Sequence, residues 1–362
     1  MKIVHVTDSI LEVTMGGIGT VSTELYKNKT DNEMFVLFNM YSDIYQDLVS
    51  QLPKDIIVID DFDQLGRILD DLKADVYVFH AAVIFDFYNK TTKEDISKKN
   101  IWYINHNNIF IEKLFLSNFY DNRDLLSFLY AMNNLNVISV SKSEMESVKE
   151  FLGKDKTGVF IYNGLNYSDD YSYSAGEKNT YGFIGRLDER KGMIQLCQQF
   201  QKNNSKLILA GSRHEIMNKF KGYERISVID MLSVAINGNK NIIPVGWVEG
   251  KRKKSFFDKI SALIVPSIYE SFGMIYVEAG DAMTSIIANK TPASLEILGE
   301  DYPFFFDITD NESLNNVLNK FENMPEQEKA DIAIKTKQSM VERFSAKNIA
   351  DSYRNLFEQQ SF

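Results

Sequence analysis

Short apolar runs alternate with longer amphipathic stretches along the chain. In the first half, the apolar runs predict strands at 2–7, 34–39, 56–59, 75–80, 101–105, 136–140 and 158–161. The second half repeats the pattern, with apolar runs at 181–185, 206–211, 241–248 and 262–265. Strands that alternate with helices favour α/β domains, in which helices cover both faces of a parallel sheet.

The length of the chain favours two such domains. A chain of 362 residues is long for one hydrophobic core. The turn signal Asn163-Gly164 is followed by a polar stretch without hydrophobic periodicity. We therefore predict an N-terminal domain over 1–165, a linker over 166–180, a C-terminal domain over 181–344 and a final amphipathic helix over 345–362.

The composition narrows the classes of function. The net charge of −10 argues against general affinity for nucleic acid or an anionic membrane. A single cysteine, Cys197, excludes an intrachain disulfide and fits a reducing compartment. Met1-Lys2 leads directly into a predicted strand, and no apolar run approaches the roughly 18 residues of a membrane span. We expect a cytoplasmic protein, with peripheral contact at the inner face of the membrane as the alternative.

The segment 260–283 carries the sharpest chemical signal. A buried strand stopped by Pro266 is followed by a turn, Gly273 and a predicted helix from about Met274. The start of a helix after a glycine suits a phosphate, because its backbone N–H groups are unpaired. Glu270 and Glu278 bracket the turn, and carboxylates suit hydroxyl groups. Phosphate and hydroxyls together predict a nucleotide-sugar site; the alternative is a strand, turn and helix with two solvated glutamates.

Two cations follow the first strand of the second domain. Arg186 and Lys191 come directly after the strand that ends at Gly185, and a helix is predicted from about Gly192. A planar guanidinium and a compact ammonium can neutralise a diphosphate with different geometries. The alternative is a pair of solvated loop cations.

The first domain offers a glycine pair and two histidines. Gly16 and Gly17 follow the first strand, but Ser22 occupies the third glycine position of a dinucleotide fingerprint, which disfavours an NAD-dependent dehydrogenase. His80 and His106 each end a strand, where ligands bind in open α/β sheets. A single histidine at such a place is more often structural than catalytic.

The motifs resemble those of a known family. Residues 266–273 together with Glu278 resemble the Glu-x7-Glu signature of retaining glycosyltransferases of the GT-B fold, above all glycosyltransferase family 4, the glycosyl transferases group 1. Residues 185–192 resemble the Gly-Arg-Leu-x-x-x-Lys-Gly motif of the same family. The resemblance implies two Rossmann-like domains that face each other across a donor-binding cleft, with the final helix crossing back to the first domain.

The resemblance also implies roles for individual residues. Arg186 and Lys191 would hold the donor diphosphate, Glu278 the ribose and Glu270 the sugar hydroxyls. His106 would contact the sugar near the reacting carbon. The implied catalytic residues are His106, Glu270, Arg186 and Lys191. The implied donor site comprises Gly16, Gly17, Arg186, Lys191, Trp247, Val248, Glu270, Ser271, Phe272, Gly273, Met274 and Glu278.

The chain departs from the family after the second glutamate. Met283-Thr284-Ser285 stands where relatives carry Gly-Thr-Pro, and Lys290-Thr291-Pro292-Ala293 stands near the position of a Gly-Gly. These positions shape the outer wall of the donor pocket, so the resemblance leaves the identity of the donor open.

The resemblance predicts a cytoplasmic, retaining hexosyltransferase that needs no metal and no cofactor. It would move a sugar from a nucleotide sugar, with UDP-sugars favoured, to a glycan or lipid-linked glycan in bacterial surface polysaccharide synthesis. The aromatic-rich stretch at 109–132 predicts a helix pair that covers the sheet; the alternative is a surface that shapes an acceptor pocket or contacts a lipid-linked acceptor. The basic run at 251–254 predicts a solvated helix face; the alternative is a role with an anionic acceptor or a membrane. A catalytically silent GT-B partner subunit and a nucleotide-sugar epimerase are the alternatives.

Overall fold

The computed structural model describes most of the chain, and its residues form two compact units. It describes residues 1–11, 16–39, 47–80, 84, 87, 99–106, 126, 129, 133–152, 158–186, 189–211, 233–310 and 312–360. The first unit comprises Met1–Asn166 together with Phe344–Phe362, and the second comprises Tyr167–Arg343. The aromatic-rich stretch predicted as a helix pair lies almost entirely outside the described residues.

The first unit contains a parallel sheet. Its described strands are β1 (Ile3–Thr7), β2 (Glu33–Phe38), β3 (Ile56–Ile59), β4 (Val76–His80), β5 (Ile101–Asn105), β6 (Asn136–Ser139) and β7 (Val159–Phe160). They pair in the order β3-β2-β1-β4-β5-β6-β7. Each strand predicted for the first half is present, within one residue at each end. Every residue of β1, β4 and β5 is buried, as expected for the central strands of a parallel sheet covered on both faces.

The second unit contains another parallel sheet. Its described strands are β8 (Glu177–Ile184), β9 (Lys206–Ala210), β10 (Ile242–Gly246), β11 (Ile260–Val265), β12 (Ile286–Asn289) and β13 (Phe305–Phe306). They pair in the order β10-β9-β8-β11-β12-β13. The first residues of β8 lie within the stretch predicted as a linker. From Tyr181 the strand becomes apolar and buried.

Helices connect the strands within each unit. The described helices are α1 (Gly17–Lys27), α2 (Phe62–Leu72), α3 (Lys142–Leu152), α4 (Met193–Phe200), α5 (Gly250–Lys259), α6 (Met274–Asp281), α7 (Pro292–Leu298), α8 (Ser313–Asn323), α9 (Glu326–Phe344) and α10 (Ala346–Gln359). Their apolar stripes form the two cores. Leu65 and Leu69 of α2, four residues apart, are buried in the first unit, and Leu314 and Leu318 of α8 are buried in the second. Among the described residues, no helix is both long enough and apolar enough to cross a bilayer.

The final helix, α10, packs within the first unit. The backbone of Ala346 passes so close to Gly164 that a Cβ on Gly164 would lie 2.7 Å from the Ala346 Cα. The ring of Phe357 lies 5.4 Å from that of Trp102 on β5. Arg354 donates from Nε to Glu33 Oε1 at 2.6 Å and from Nη2 to the Asn28 carbonyl at 2.5 Å. These contacts join the end of the described chain to its first strands.

Candidate functional site

The topological switch point of the second sheet lies between β8 and β11. In the order β10-β9-β8-β11-β12-β13, the connections run in opposite directions from β8 and β11. Open α/β sheets bind ligands at this point, beyond the carboxyl ends of the strands. Arg186 follows the end of β8, and Glu270 follows the end of β11, so both predicted residues lie on loops at the same edge of the sheet. Arg186 is exposed.

Lys191 and Glu270 are in direct contact. Lys191 Nζ donates to Glu270 Oε1 at 2.6 Å, and Ser267 Oγ donates to the same oxygen at 2.8 Å. The side chains of the pair are only 18% and 10% exposed. Lys191, predicted to bind the diphosphate, and Glu270, predicted to bind the sugar, therefore belong to one half-buried cluster. In it the lysine and Ser267 fix the orientation of the carboxylate.

The two loops of this cluster approach each other at backbone level. The Ile268 N–H donates to the Arg190 carbonyl at 2.7 Å. Gly192 has a φ of +63°, and a Cβ at that position would lie 2.2 Å from the Pro266 carbonyl oxygen. The glycine that the motif places after Lys191 is therefore required by the close packing of the two loops.

The substitution Gly192→Ala should destabilise the second unit strongly. Alanine would both adopt a left-handed backbone conformation and displace the Pro266 carbonyl, at a combined cost of about 2–4 kcal/mol in the free energy of unfolding. Gly238→Ala is the matched control, because Gly238 has a φ of +70° and no atom of the described residues lies within 4 Å of its Cβ position. Urea denaturation measures both. An equal loss in the two variants would show that the loop contact contributes nothing.

Helix α6 begins where the sequence predicts, directly after Gly273. Gly273 is the N-cap, with a φ of +90°, and the cap has no side-chain hydrogen bond. The residues around it, Ser271, Phe272 and Met274, are buried. The helix start therefore presents backbone N–H groups from a packed segment, which is the arrangement expected of a phosphate-binding turn.

The second glutamate of the motif, Glu278, is paired with a lysine from another helix. Lys253 Nζ lies 2.5 Å from Glu278 Oε2, and the side chains are 26% and 15% exposed. Lys253 belongs to the basic run at 251–254, which forms the start of α5. The predicted solvated face is therefore only part of the run, because one of its lysines is joined to the candidate site.

Asn289 at the end of β12 supports the loop that carries Glu270. Its Nδ2 donates to the Ser267 carbonyl at 3.0 Å, and its Oδ1 accepts from the Ile308 N–H at 3.0 Å. The side chain is buried. Sequence reasoning missed both Asn289 and Lys253, since their partners are distant in the chain.

Trp247 and Val248, predicted to lie near the nucleotide base, follow the end of β10. Val248 is buried, and Trp247 is half-buried with its Nε1 donating to Glu249 Oε2 at 2.9 Å. They share the carboxyl edge of the sheet with Arg186, separated from β8 by β9. Their predicted role near the nucleotide base stays a prediction.

His106 of the first unit is buried directly after β5. The preceding residue, Asn105, donates from Nδ2 to Glu144 Oε1 at 2.8 Å, and the Glu144 N–H donates to Ser141 Oγ at 3.0 Å. Ser141 therefore caps the start of α3. Burial lowers the pKa of His106 to about 3, so the ring is neutral at physiological pH. His80 is completely buried beside it, with its Nδ1 3.3 Å from His106 Nε2.

Gly16 and Gly17 form the start of helix α1 in the first unit. Gly16 is the N-cap, and a Cβ at this position would meet no atom of the described residues within 4 Å. Gly17 is exposed. The predicted role of the two glycines at the donor stays a prediction.

Carboxylate, histidine and cysteine side chains form no metal cluster in the part of the chain that the structure describes. No three of them converge in a way that could hold an ion. The two glutamates of the motif instead face lysines.

The sequence of the second unit matches a known family. Residues 170–339 match the family glycosyl transferases group 1. The matched range contains the Lys191–Glu270 and Lys253–Glu278 pairs, and it covers just under half of the chain. The group 1 match agrees with the resemblance carried by the Glu-x7-Glu motif.

Individual relatives agree with the group 1 match. An uncharacterized glycosyltransferase of Methanocaldococcus jannaschii is 28% identical over 193 residues, which cover 48% of this chain and 47% of the relative. The chain spans about half the length of the curated relatives it matches. Solved structures also match the other half of the chain and show its fold.

Two solved structures match nearly the whole chain. A sucrose-phosphate synthase from Thermosynechococcus elongatus has a TM-score of 0.76 at 15% identity, covering 99% of each chain. HepE from Anabaena, solved in complex with UDP and glucose, has a TM-score of 0.76 at 16% identity, covering 99% of this chain and 100% of HepE. The chain has the GT-B fold, with two parallel-sheet α/β domains, as the sequence predicts.

Proposed function

We propose that this chain is a retaining glycosyltransferase of family 4 that moves a hexosyl unit from a UDP-sugar to a glycan or lipid-linked glycan, without a metal or other cofactor. The Lys191–Glu270 contact of 2.6 Å at the switch point of the second sheet carries the proposal. The group 1 match over residues 170–339 supports the reaction class. The complex of HepE with UDP-glucose, a protein of the same fold, supports the donor class. Retention, family 4 and a role in bacterial surface polysaccharide synthesis rest on the motif resemblance.

The leaving group would be held by cations and a helix start. An ammonium has three hydrogens, and Lys191 uses one on Glu270, so two remain for diphosphate oxygens. Arg186 would add a bidentate contact, and the N–H groups after Gly273 would add the partial positive charge of α6. Negative charge grows on the diphosphate as the glycosidic bond breaks, and preorganised donors at that place lower the barrier.

The two glutamates would recognise hydroxyl groups. Among the described residues, the hydrogen bonds to Glu270 come from Lys191 and Ser267 and both go to Oε1, so Oε2 would accept from the sugar. Glu278 would accept from the ribose, and Lys253 fixes its orientation from α5. A lysine beside each glutamate fixes the orientation of the carboxylate, and carboxylate oxygens are strong acceptors of hydroxyl hydrogen bonds.

His106 would contact the donor sugar as a neutral hydrogen-bonding group. Burial keeps its pKa at about 3, so it cannot supply a positive charge near neutral pH. Its function is therefore positional: Nε2 is engaged by His80, and Nδ1, which has no hydrogen-bond partner among the described residues, would meet a hydroxyl.

A donor panel tests the proposal. The purified chain is incubated with UDP-, GDP- and ADP-sugars in EDTA without acceptor, and release of nucleoside diphosphate is followed together with the thermal midpoint. We expect slow release of UDP from one UDP-sugar, because water can take the place of the missing acceptor. We also expect that donor and UDP to raise the thermal midpoint of the protein.

The other outcomes identify the alternatives. A changed sugar on an intact nucleotide, found by product analysis with donor alone, would identify an epimerase. Neither release nor thermal stabilisation by any nucleotide would overturn the proposal and favour a catalytically silent subunit. Release that disappears in EDTA and returns with Mg²⁺ would overturn the metal independence alone.

A further inference from the structure

Three buried histidines form a continuous row of side chains across the first sheet. His5 lies in β1, His80 ends β4 and His106 follows β5, and these strands are adjacent in the sheet. His5 Nδ1 lies 3.1 Å from His80 Nε2, and His80 Nδ1 lies 3.3 Å from His106 Nε2. The register of the strands therefore joins three of the chain's four histidines end to end.

All three rings are neutral, because burial disfavours the charged form. The residues are 2%, 0% and 6% exposed. Burial lowers the pKa of His5 and of His106 to about 3 and lowers that of His80 well below its usual range. A neutral imidazole has one N–H donor and one acceptor nitrogen. The two hydrogen bonds must therefore run in the same direction, and the three histidines together have only two possible proton arrangements.

The His5 end of this histidine row faces a buried carboxylate. His5 Nε2 lies 3.9 Å from Glu33 Oε2, and the Glu33 side chain is 5% exposed. The other oxygen of Glu33 accepts from Arg354 Nε at 2.6 Å and from Thr30 Oγ1 at 3.1 Å. A lone pair on His5 Nε2 would repel the carboxylate, whereas an N–H there is attracted to it.

The charges around Glu33 do not cancel this preference. The Arg354 guanidinium also lies 2.5 Å from Asp351, and it is the charged group that lowers the pKa of His5 alongside burial. The Arg354 charge disfavours a protonated His5. Arg354 binds Oε1 of Glu33, whereas Oε2 is the oxygen that lies 3.9 Å from His5 Nε2 and favours a neutral tautomer with an N–H at that nitrogen. The face of the His5 ring is covered by Phe35, whose centroid is 4.6 Å away.

We propose that Glu33, His5 and His80 are positioning residues that hold His106 in its Nε2–H tautomer, so that Nδ1 presents a lone pair to a hydroxyl of the substrate. The protons then run from His106 Nε2 to His80 Nδ1, from His80 Nε2 to His5 Nδ1, and from His5 Nε2 towards Glu33. This role at the substrate rests on the proposed function of His106. The tautomer itself does not.

The tautomers can be read in the free protein by ¹⁵N NMR of the imidazole rings. Each resonance is assigned from single His→Gln variants. We expect the wild-type His106 to carry its proton on Nε2, with Nδ1 showing the shift of an unprotonated nitrogen. A wild-type spectrum with the proton of His106 on Nδ1 overturns the proposal without any variant.

The substitution Glu33→Gln tests the source of the preference. Removing the charge should give His106 a second population, with Nδ1–H, of at least one part in ten. Glu24→Gln is the matched control: Glu24 is a buried glutamate of the same unit, which binds Lys27 at 3.0 Å and the Asn166 N–H at 2.9 Å. The same tautomer ratio in both variants overturns the role of Glu33.

The donor assay gives a second readout. If the tautomer positions the substrate, Glu33→Gln should raise the KM for the nucleotide sugar about threefold or more with little change in kcat, and Glu24→Gln should change neither. An unchanged KM in Glu33→Gln, in an enzyme that His106→Gln does impair, overturns the substrate role. A chain that releases no sugar refutes the proposed function, and the NMR spectrum still decides the tautomer.

Discussion

Replacing Lys191 with alanine should lower turnover by about 10²–10³-fold, equivalent to about 3–4 kcal/mol of lost stabilisation of the transition state. The structure fixes the position of Lys191 through the 2.6 Å bond to Glu270 and the close approach of its loop to Pro266. The loss should fall mainly on kcat, because the charge that Lys191 neutralises develops as the diphosphate departs. Steady-state kinetics of the variant measure both constants.

Two further variants make this prediction specific. Lys259→Ala removes a cation of α5 that is 53% exposed and 3.9 Å from Glu177, and it should leave turnover unchanged. Lys191→Ala also leaves Glu270 without its ammonium, which could disturb the loop rather than the chemistry. The double variant Lys191→Ala/Glu270→Gln separates these causes: recovery of turnover would locate the defect in the unpaired carboxylate and contradict the diphosphate role.

Lowering the pH from 7 to 5 should destabilise the first unit substantially. His5 and His106, with pKa values of about 3 in the folded state, stay neutral while the unfolded chain binds their protons below a pKa near 6.5. The unfolded state therefore binds more protons, and the free energy of unfolding falls as the pH falls from about 6.5 towards 3. At pH 5 each of the two histidines should contribute a loss of about 2 kcal/mol. His80 adds a loss in the same direction.

The measurement can be confined to the first unit by fluorescence. The chain has two tryptophans, and Trp247→Phe leaves Trp102, which is buried against Phe357. Urea denaturation of this background at pH 7, 6 and 5 is compared with the same background carrying His106→Gln. Desolvation raises the pKa of Asp8 to about 6, which opposes the trend, but Asp8 is common to both proteins and cancels in the comparison. Equal pH dependence in the two proteins would show that His106 titrates normally.

The sequence predicted the framework because each signal for it is local. The apolar run at 56–59 and the glycine before Met274 identify a strand and a helix start without knowledge of the rest of the chain. The same holds for Arg186 and Lys191, since a residue that follows a parallel strand lies at a known edge of the sheet.

The pairings at the site depend on strand and helix order, which the sequence does not display. Lys253 appears in the sequence as part of a basic run, and only the packing of α5 beside α6 brings it to Glu278. His5 appears as a polar residue within an apolar strand, and its meaning depends on β1 and β4 being neighbours. His80 appears in the sequence only as the residue that ends a strand, and the structure places it between two other histidines.

The place of helix α10 constrains the order in which the units can be completed during synthesis. Phe357 and Arg354 belong to the first unit, where they contact Trp102 and Glu33. The second unit, Tyr167–Arg343, is continuous in sequence and is fully synthesised before those residues leave the ribosome. Multidomain chains usually fold from the N-terminus during synthesis. Here the contacts of the first unit are complete only after the last helix is made, whereas those within the second unit can all form earlier.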